Sequence, residues 1–206
     1  VTGRFITLEG GEGAGKSTQA RALAAWLSQQ GHPVLVTREP GGAPGAEAIR
    51  GVVLGGHGLD PVAEALLMFA ARREHVQETI RPALAAGMWV VCDRFADSTR
   101  AYQCHGQGVS GEVFGRLSDI ALEGLKPDLT FILDVPPEAG LARAKARGII
   151  ADRFERLDIG FHARVRAGFL AIAAGDPARC LVLDATAPAD AVFTAMTQAL
   201  EARLPG

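Results

Sequence analysis

Eight consecutive residues near the start of the chain, Gly10-Gly11-Glu12-Gly13-Ala14-Gly15-Lys16-Ser17, have the types and spacing that hold a polyphosphate. They read G-x-x-x-x-G-K-S, followed by Thr18. The glycines let successive backbone N–H groups converge on one concavity, Lys16 can reach the outer phosphates, and the Ser17 hydroxyl can join the shell of a Mg²⁺ ion. A second group lies at Asp93-Arg94, where an acidic residue can orient Mg²⁺ or its water shell and a guanidinium can grip a phosphate. Arg38, in Thr37-Arg38-Glu39-Pro40-Gly41-Gly42, is a third candidate. Each arginine alone could be a salt-bridge partner. Around one phosphate loop, together they suggest that two phosphate-bearing ligands meet.

These residues need a scaffold that brings them to one edge. Five short apolar runs, Phe5–Leu8, Val34–Val36, Trp89–Cys92, Leu129–Leu133 and Cys180–Leu183, alternate with helical stretches. The runs are continuous rather than alternating, which predicts parallel strands covered on both faces. Ala20, Leu23, Ala24 and Leu27 recur at helical spacing after the loop, so strand, loop and helix follow in the order a phosphate site requires. A glycine-rich turn with an incidental Lys-Ser would not need those flanks. The expected fold is α/β, a five-stranded parallel sheet flanked by helices, in a single domain over residues 1–206. Pro40–Gly45 and Gly106–Gly111 read as loops at the carboxyl edge of the sheet, and a helix is expected from Glu112 to Leu125.

Arg143, Lys145, Arg147, Arg153, Arg156, Arg164 and Arg166 concentrate positive charge within residues 143–166. Solvated helix faces often look like this. Here Gly148-Ile149-Ile150-Ala151 interrupts the pattern and Asp152-Arg153 follows, as a basic segment closing over a triphosphate would be built. The rest of the composition is ordinary: 48% hydrophobic, 21% charged, net charge −2. That balance gives no reason to expect nucleic acid or a membrane as partner. Without a membrane span or a signal-peptide core, a cytoplasmic location is expected. Cys92, Cys104 and Cys180 lack metal-ligand spacing, and His32, His57, His75, His105 and His162 form no ligand pair.

From end to end the chain resembles the bacterial thymidylate kinases, a family of P-loop nucleoside monophosphate kinases. The resemblance rests on Glu9 through Thr18, Thr37 through Gly42, Ala71-Arg72-Arg73-Glu74-His75, Asp93-Arg94 through Ala101-Tyr102-Gln103, and Leu133-Asp134-Val135. It implies ATP-dependent conversion of dTMP to dTDP by a homodimer with a small mobile lid, here about residues 143–158. Lys16 and Ser17 would hold ATP phosphates and Mg²⁺, Arg38 would bridge donor and acceptor phosphates, Arg94 would grip the acceptor, and Asp93 would help place the metal. Arg72, Gln103 and Thr99 would read the thymine edge, Tyr102 would crowd the sugar 2′ position, and Glu12 would face the sugar. Arg153 matches the lid arginine, with Arg147 as second choice.

Two positions depart from the family pattern. Ala71 stands where an acidic residue is common, and Met68 stands where an aromatic usually stacks on thymine, with Phe69 one position on. Met68 or Phe69 could contact the base, or both could be plain core. A kinase for another nucleoside monophosphate would differ only around Met68, Phe69, Arg72, Thr99 and Gln103. A P-loop switch or partitioning ATPase shares the loop but would not explain Arg38, Arg94 and the basic lid together. Dimer contacts, by resemblance, would come from Leu66, Phe69 and Val76 or from Val113, Phe114 and Leu117.

Overall fold

The structure is a computed structural model that describes residues 3–55, 58–146 and 153–204. Strand β1 (Phe5–Glu9) leads through the phosphate loop into α1 (Lys16–Gln29). Then come β2 (Val34–Arg38), α2 (Pro44–Leu54) and α3 (Pro61–His75), which continues through a π turn, Val76–Ile80, into α4 (Arg81–Ala85). Strand β3 (Trp89–Asp93) precedes α5 (Ala96–Thr99), which runs into a second π segment, Arg100–Gly106. The rest is α6 (Gly111–Leu122), β4 (Leu129–Asp134), α7 (Pro137–Ala146), α8 (Ile159–Gly175), β5 (Cys180–Asp184) and α9 (Ala189–Arg203).

All five expected strands form, in the order β2-β3-β1-β4-β5, and every neighbouring pair is parallel. Each runs one or two residues past its apolar stretch and ends on a charged residue: Glu9, Arg38, Asp93, Asp134 or Asp184. The ladder carries these residues to the carboxyl edge, where Arg38 is the register partner of Asp93. It continues beyond, with Arg94 N donating to Leu8 O and Glu39 N to Asp93 O.

The two faces of the sheet separate by residue parity, as a period of two requires. Ile6, Leu8, Val91, Phe131 and Leu133 face Leu23 and Leu27 of α1 and Met196 of α9. Phe5, Val90 and Cys92 pack against Phe69, Ile80 and Phe95 on the other side, where Ile132 joins Phe161 and Phe169 of α8. Burial on both faces holds for the central strands. The edge strands β2 and β5 differ, since Val36 and Val182 are exposed to 44% and 39%. An edge strand has a neighbour on one side only, so helices cannot cover it equally.

Several helix boundaries follow from capping. Asp60 accepts from Val62 N and Ala63 N at the start of α3, Ser110 caps α6 and Asp158 caps α8. Three stretches depart from the sequence reading. The broken stretch Pro40–Gly45 ends early, because Pro44 serves as the first residue of α2, where a missing N–H costs nothing. Helix α6 stops at Leu122 rather than Leu125, because Glu123 turns left-handed with φ 48°. The Gly106–Gly111 loop is likewise shorter, its ends absorbed into the π segment and α6.

The phosphate loop is held from below by α7. Gly13 has φ 66°, and a Cβ there would collide with the Gly140 carbonyl. A Cβ on Gly140 would in turn strike the Glu12 carbonyl oxygen. Gly140→Ala therefore displaces the loop and is expected to cost about 1–3 kcal/mol by overpacking. Thermal unfolding should show a fall of several degrees. Gly115→Ala, on α6 with nothing within 4 Å of the new methyl, should instead hold or raise the midpoint.

Candidate active site

The loop opens α1 without a side-chain cap. Gly15 stands at the N-cap position with φ 90°, and no side chain bonds to the first-turn amides. Those amides and the positive end of the helix dipole are left for an anion. Lys16 donates through Nζ to Gly11 O at 2.7 Å and to Gly10 O at 3.1 Å. Burial, reinforced by the Arg94 charge, pulls its ammonium down to about 8 against the pull of Glu12, Asp93 and Glu9. An arriving polyanion would reverse that pressure, so the lysine is a receptive partner for phosphate.

Above the loop is a cleft of about 370 Å³, lined by Glu12 through Thr18 together with Arg38, Met68, Asp93, Arg94 and Tyr102. Gly10 and Gly11 lie outside the lining and serve it through the carbonyls that Lys16 grasps. Ser17 Oγ donates to Asp93 Oδ2 at 2.5 Å, so the two expected metal-site residues touch. A hydroxyl and a carboxylate are hard oxygen donors that suit Mg²⁺. Among the described residues no cluster of three or more His, Cys, Asp or Glu could hold a metal alone. Such a pair fits an ion that takes its remaining ligands from phosphate and water.

Arg94 is the most constrained cation of the cleft. It has φ 72°, and its guanidinium reaches Glu12 Oε1 at 2.7 Å, Tyr102 Oη at 3.0 Å, Ser98 Oγ at 3.2 Å and Gly10 O at 3.2 Å. It also lies 4.9 Å from the centroid of the Tyr102 ring. Tyr102 Oη donates to Glu12 Oε1 at 2.6 Å. Burial pushes the Glu12 carboxyl up, but Arg94, Lys16 and the Tyr102 hydroxyl outweigh it and hold it at about 2. Arg38, at the edge, is forked on Glu47 at 3.0 and 3.1 Å and donates to Pro40 O at 2.9 Å.

Arg72, Thr99 and Gln103 do not line the cleft; they form a buried layer behind Met68, Ser98 and Tyr102. Arg72 bonds Glu39 Oε2 at 2.7 Å, Phe95 O at 3.0 Å and Thr99 Oγ1 at 3.1 Å. Glu39 is also bonded to His75 Nδ1 at 3.0 Å, and His75 Nε2 to Thr37 Oγ1 at 2.7 Å. Met68 and Phe69 part company. Met68 reaches the cleft, while Phe69 packs edge-on against Phe114 and lies beneath the Arg72 guanidinium, 4.8 Å from its ring centroid. Phe69 is therefore a support for Arg72 rather than a wall of the cleft.

The basic stretch disperses. Arg166 forks onto Asp134 at 2.7 and 2.8 Å, and Arg164 donates to Gly106 O. Arg143 lines the cleft and donates to Ala185 O at 2.6 Å and Thr186 O at 3.4 Å. Arg153 does not point to the phosphate loop; its guanidinium lies on the buried carboxylate of Glu64 and donates to Val53 O. Its neighbour Phe154 enters the cleft wall and meets the Tyr102 ring edge-on. Arg147, the Gly148–Ala151 turn and Asp152 lie outside the described residues, as does His57.

Sequence reasoning left out Glu39, Pro40, Arg50, Leu54, Ser98 and Phe154 as cleft residues, and placed Arg143 only within the basic segment. Ser98 could have been found, since it lies one helical turn before Tyr102. Arg50 and Leu54, on α2, carry no local signal.

A model of the family described as thymidylate kinase matches residues 8–196. A protein named thymidylate kinase from Caulobacter vibrioides is 54% identical over 204 residues, 98% of each chain. One of the same name from Nitrobacter winogradskyi is 54% identical over 205 residues, covering 98% of this chain and 89% of its own. The crystal structure of thymidylate kinase from Ehrlichia chaffeensis superposes with a TM-score of 0.79 at 36% identity, over 97% of this chain and 99% of that one.

A buried acid, Glu9, lies beneath the site. Glu9 ends β1 and accepts from Phe95 N at 2.8 Å and Ser98 Oγ at 2.6 Å. Burial, and next the Asp97 charge, push its carboxyl up to about 8, so folding takes up a proton between the ordinary value of 4.5 and about 8. Its contribution to stability is present in full at low pH and is lost as pH rises through 8. Glu9→Gln removes the charge while its carbonyl can still accept from Phe95 N and its amide NH₂ can donate to Ser98 Oγ. Its thermal midpoint relative to the parent chain should therefore be higher at pH 9 than at pH 6. An equal difference at both values would mean that Glu9 does not titrate in this window.

Proposed function

The chain belongs to the thymidylate kinase family, and from that premise we propose that it transfers the γ-phosphate of ATP to dTMP, giving ADP and dTDP for dTTP synthesis. The observation that carries this reading is the convergence on one cleft of Lys16 from the start of α1, Arg38 from the end of β2 and Arg94 from just beyond β3. A nucleotide-binding switch needs one phosphate site; a transferase between two nucleotides needs cations facing each other.

The acceptor is a phosphate oxygen, anionic near neutral pH, so no strong general base is required. The barrier lies in bringing two polyanions together and holding them in line. Lys16 and the loop amides take the donor phosphates, and Arg94 takes the acceptor phosphate, held in place by Glu12 and Tyr102. Arg38 spans the two. Ser17 and Asp93 would hold Mg²⁺, which supplies charge neutralisation at the phosphates when bound. Arg143, against Ala185 and Thr186, marks the adenine end of the cleft. The family resemblance assigns the thymine edge to Arg72, Thr99 and Gln103, which lie buried directly behind Met68 and Tyr102 of the cleft wall, and Tyr102 stands against the sugar, disfavouring a 2′-hydroxyl. The segment of about 143–158 acts as a lid on one kinase domain, with Arg153 anchoring its return to the acceptor side.

We assign the homodimer contact to α3 and α6, where Leu66 and Ile120 are exposed to 50% and 73%. Phe69 and Val76 are buried within the chain and take no part in that surface. Among the described residues no helix is long and apolar enough to cross a membrane. The proposed setting is the cytoplasm, with small nucleotides rather than nucleic acid or lipid as partners.

ADP release measured with dTMP, dUMP, dCMP and water as acceptors tests this reading. The highest kcat/KM is expected with dTMP and negligible release with water; release independent of any monophosphate would overturn it. Within that assay, Arg94→Ala should raise the KM for dTMP by roughly 10- to 100-fold, as loss of a charge-assisted pair implies, with a smaller change in kcat. An unchanged KM would remove Arg94 from the acceptor site.

A further inference from the structure

Glu64 belongs to none of the motifs above. It sits on the first turn of α3, is fully buried, and receives three donors. Gln103 Nε2 bonds its Oε1 at 2.7 Å, Gln107 Nε2 bonds the same oxygen at 3.0 Å, and Arg153 bonds its Oε2. A carboxylate accepts only, so the amide of Gln103 must turn its NH₂ toward Glu64 and its carbonyl oxygen away. That oxygen, Gln103 Oε1, is buried without a hydrogen-bond partner. So are Gln107 Oε1, turned away from Glu64 in the same manner, and one donor, Arg72 Nη1, while the other two nitrogens of that guanidinium are fixed on Glu39, Phe95 and Thr99.

Buried polar groups are seldom left unpaired, and an orphan donor with an orphan acceptor has the polarity of a particular base edge. Thymine and uracil present a carbonyl oxygen at position 4 and an N–H at position 3, which match Arg72 Nη1 and Gln103 Oε1. Cytosine presents an amine and a bare nitrogen, which oppose both. Arg72 is a donor by nature; Gln103 could be either, depending on which way its amide faces. We propose that Glu64 is the specificity-determining positioning residue of this kinase. By holding the Gln103 amide in one orientation, it commits the pocket to pyrimidine bases with an N3–H and rejects cytosine. This rests on the reading of Gln103 as a thymine contact.

The test compares kcat/KM for dTMP and dCMP. In Glu64→Gln, an amide faces an amide, and Gln103 can turn either way. The dTMP-to-dCMP ratio should fall about tenfold or more, through KM for dTMP rather than kcat. Loss of the Arg153 contact alone would slow both substrates alike and leave the ratio intact. The exchange Glu64→Gln with Gln103→Glu restores an acceptor-only group at position 103, with Gln at 64 able to donate to it, and should recover most of the ratio. A ratio within twofold of the parent in Glu64→Gln, or no recovery in the exchange, overturns the proposal. If Glu64→Gln does not fold, the exchange is compared with Gln103→Glu alone, where two carboxylates repel; the exchange must then be the more selective of the two. A parent chain that does not prefer dTMP over dCMP would instead defeat the base reading itself.

Discussion

The Arg94–Glu12 ion pair is the contact on which the site depends. It joins the phosphate loop to the end of β3, and it sets a cation of the cleft 2.7 Å from a carboxylate that belongs to the loop. Cations gathered in one cleft repel one another, as the effect of Arg94 on Lys16 shows. Glu12 offsets that repulsion from inside the loop, and its low affinity for protons keeps it charged across the physiological range. The same solution recurs outward. Arg72 is held by Glu39, Arg38 by Glu47, and Arg153 by Glu64. Each guanidinium has a carboxylate that fixes its plane, so its remaining donors point in one direction. Of these, the buried pairs Arg72–Glu39 and Arg153–Glu64 carry the greater geometric force, since exposed pairs such as Arg38–Glu47 contribute little to stability.

The strands and the phosphate loop were legible in the sequence because their signals are local. Continuous apolar runs of strand length give β1, β3 and β4 directly, and the loop glycines announce the turn into α1. The boundaries that moved were decided by single backbone choices, Pro44 as a helix start and Glu123 as a left-handed stop, which compete with equally plausible neighbours. The extension of every strand into a charged residue could not be read from hydropathy. It is dictated by the ladder, which continues until the chain leaves the edge.

The site was legible as a set of residue types and less so as an arrangement. Arg38, Asp93, Arg94 and Tyr102 reach the cleft. Whether Met68 or Phe69 does is a matter of about 100° of helical rotation, settled by Phe114 and Arg72 drawing Phe69 to the other side. Arg153 was expected at the phosphates and rests on Glu64, a partner 89 positions away in sequence. The carboxylates that orient the arginines share this property. Glu12 with Arg94 and Glu39 with Arg72 are 82 and 33 residues apart, and no spacing rule connects them.

Helix α7 gives the molecule a mechanical consequence. Its fourth residue, Gly140, touches the loop backbone with no side chain between, and its last residue, Ala146, lies six positions and about 9 Å further along the axis. A helix is stiff over that length. Gly140 is thus a fulcrum and the rest of α7 a lever arm, so a tilt of its Ala146 end must be felt at Glu12 and Gly13. The phosphate loop and the far end of α7 are two ends of one rigid beam.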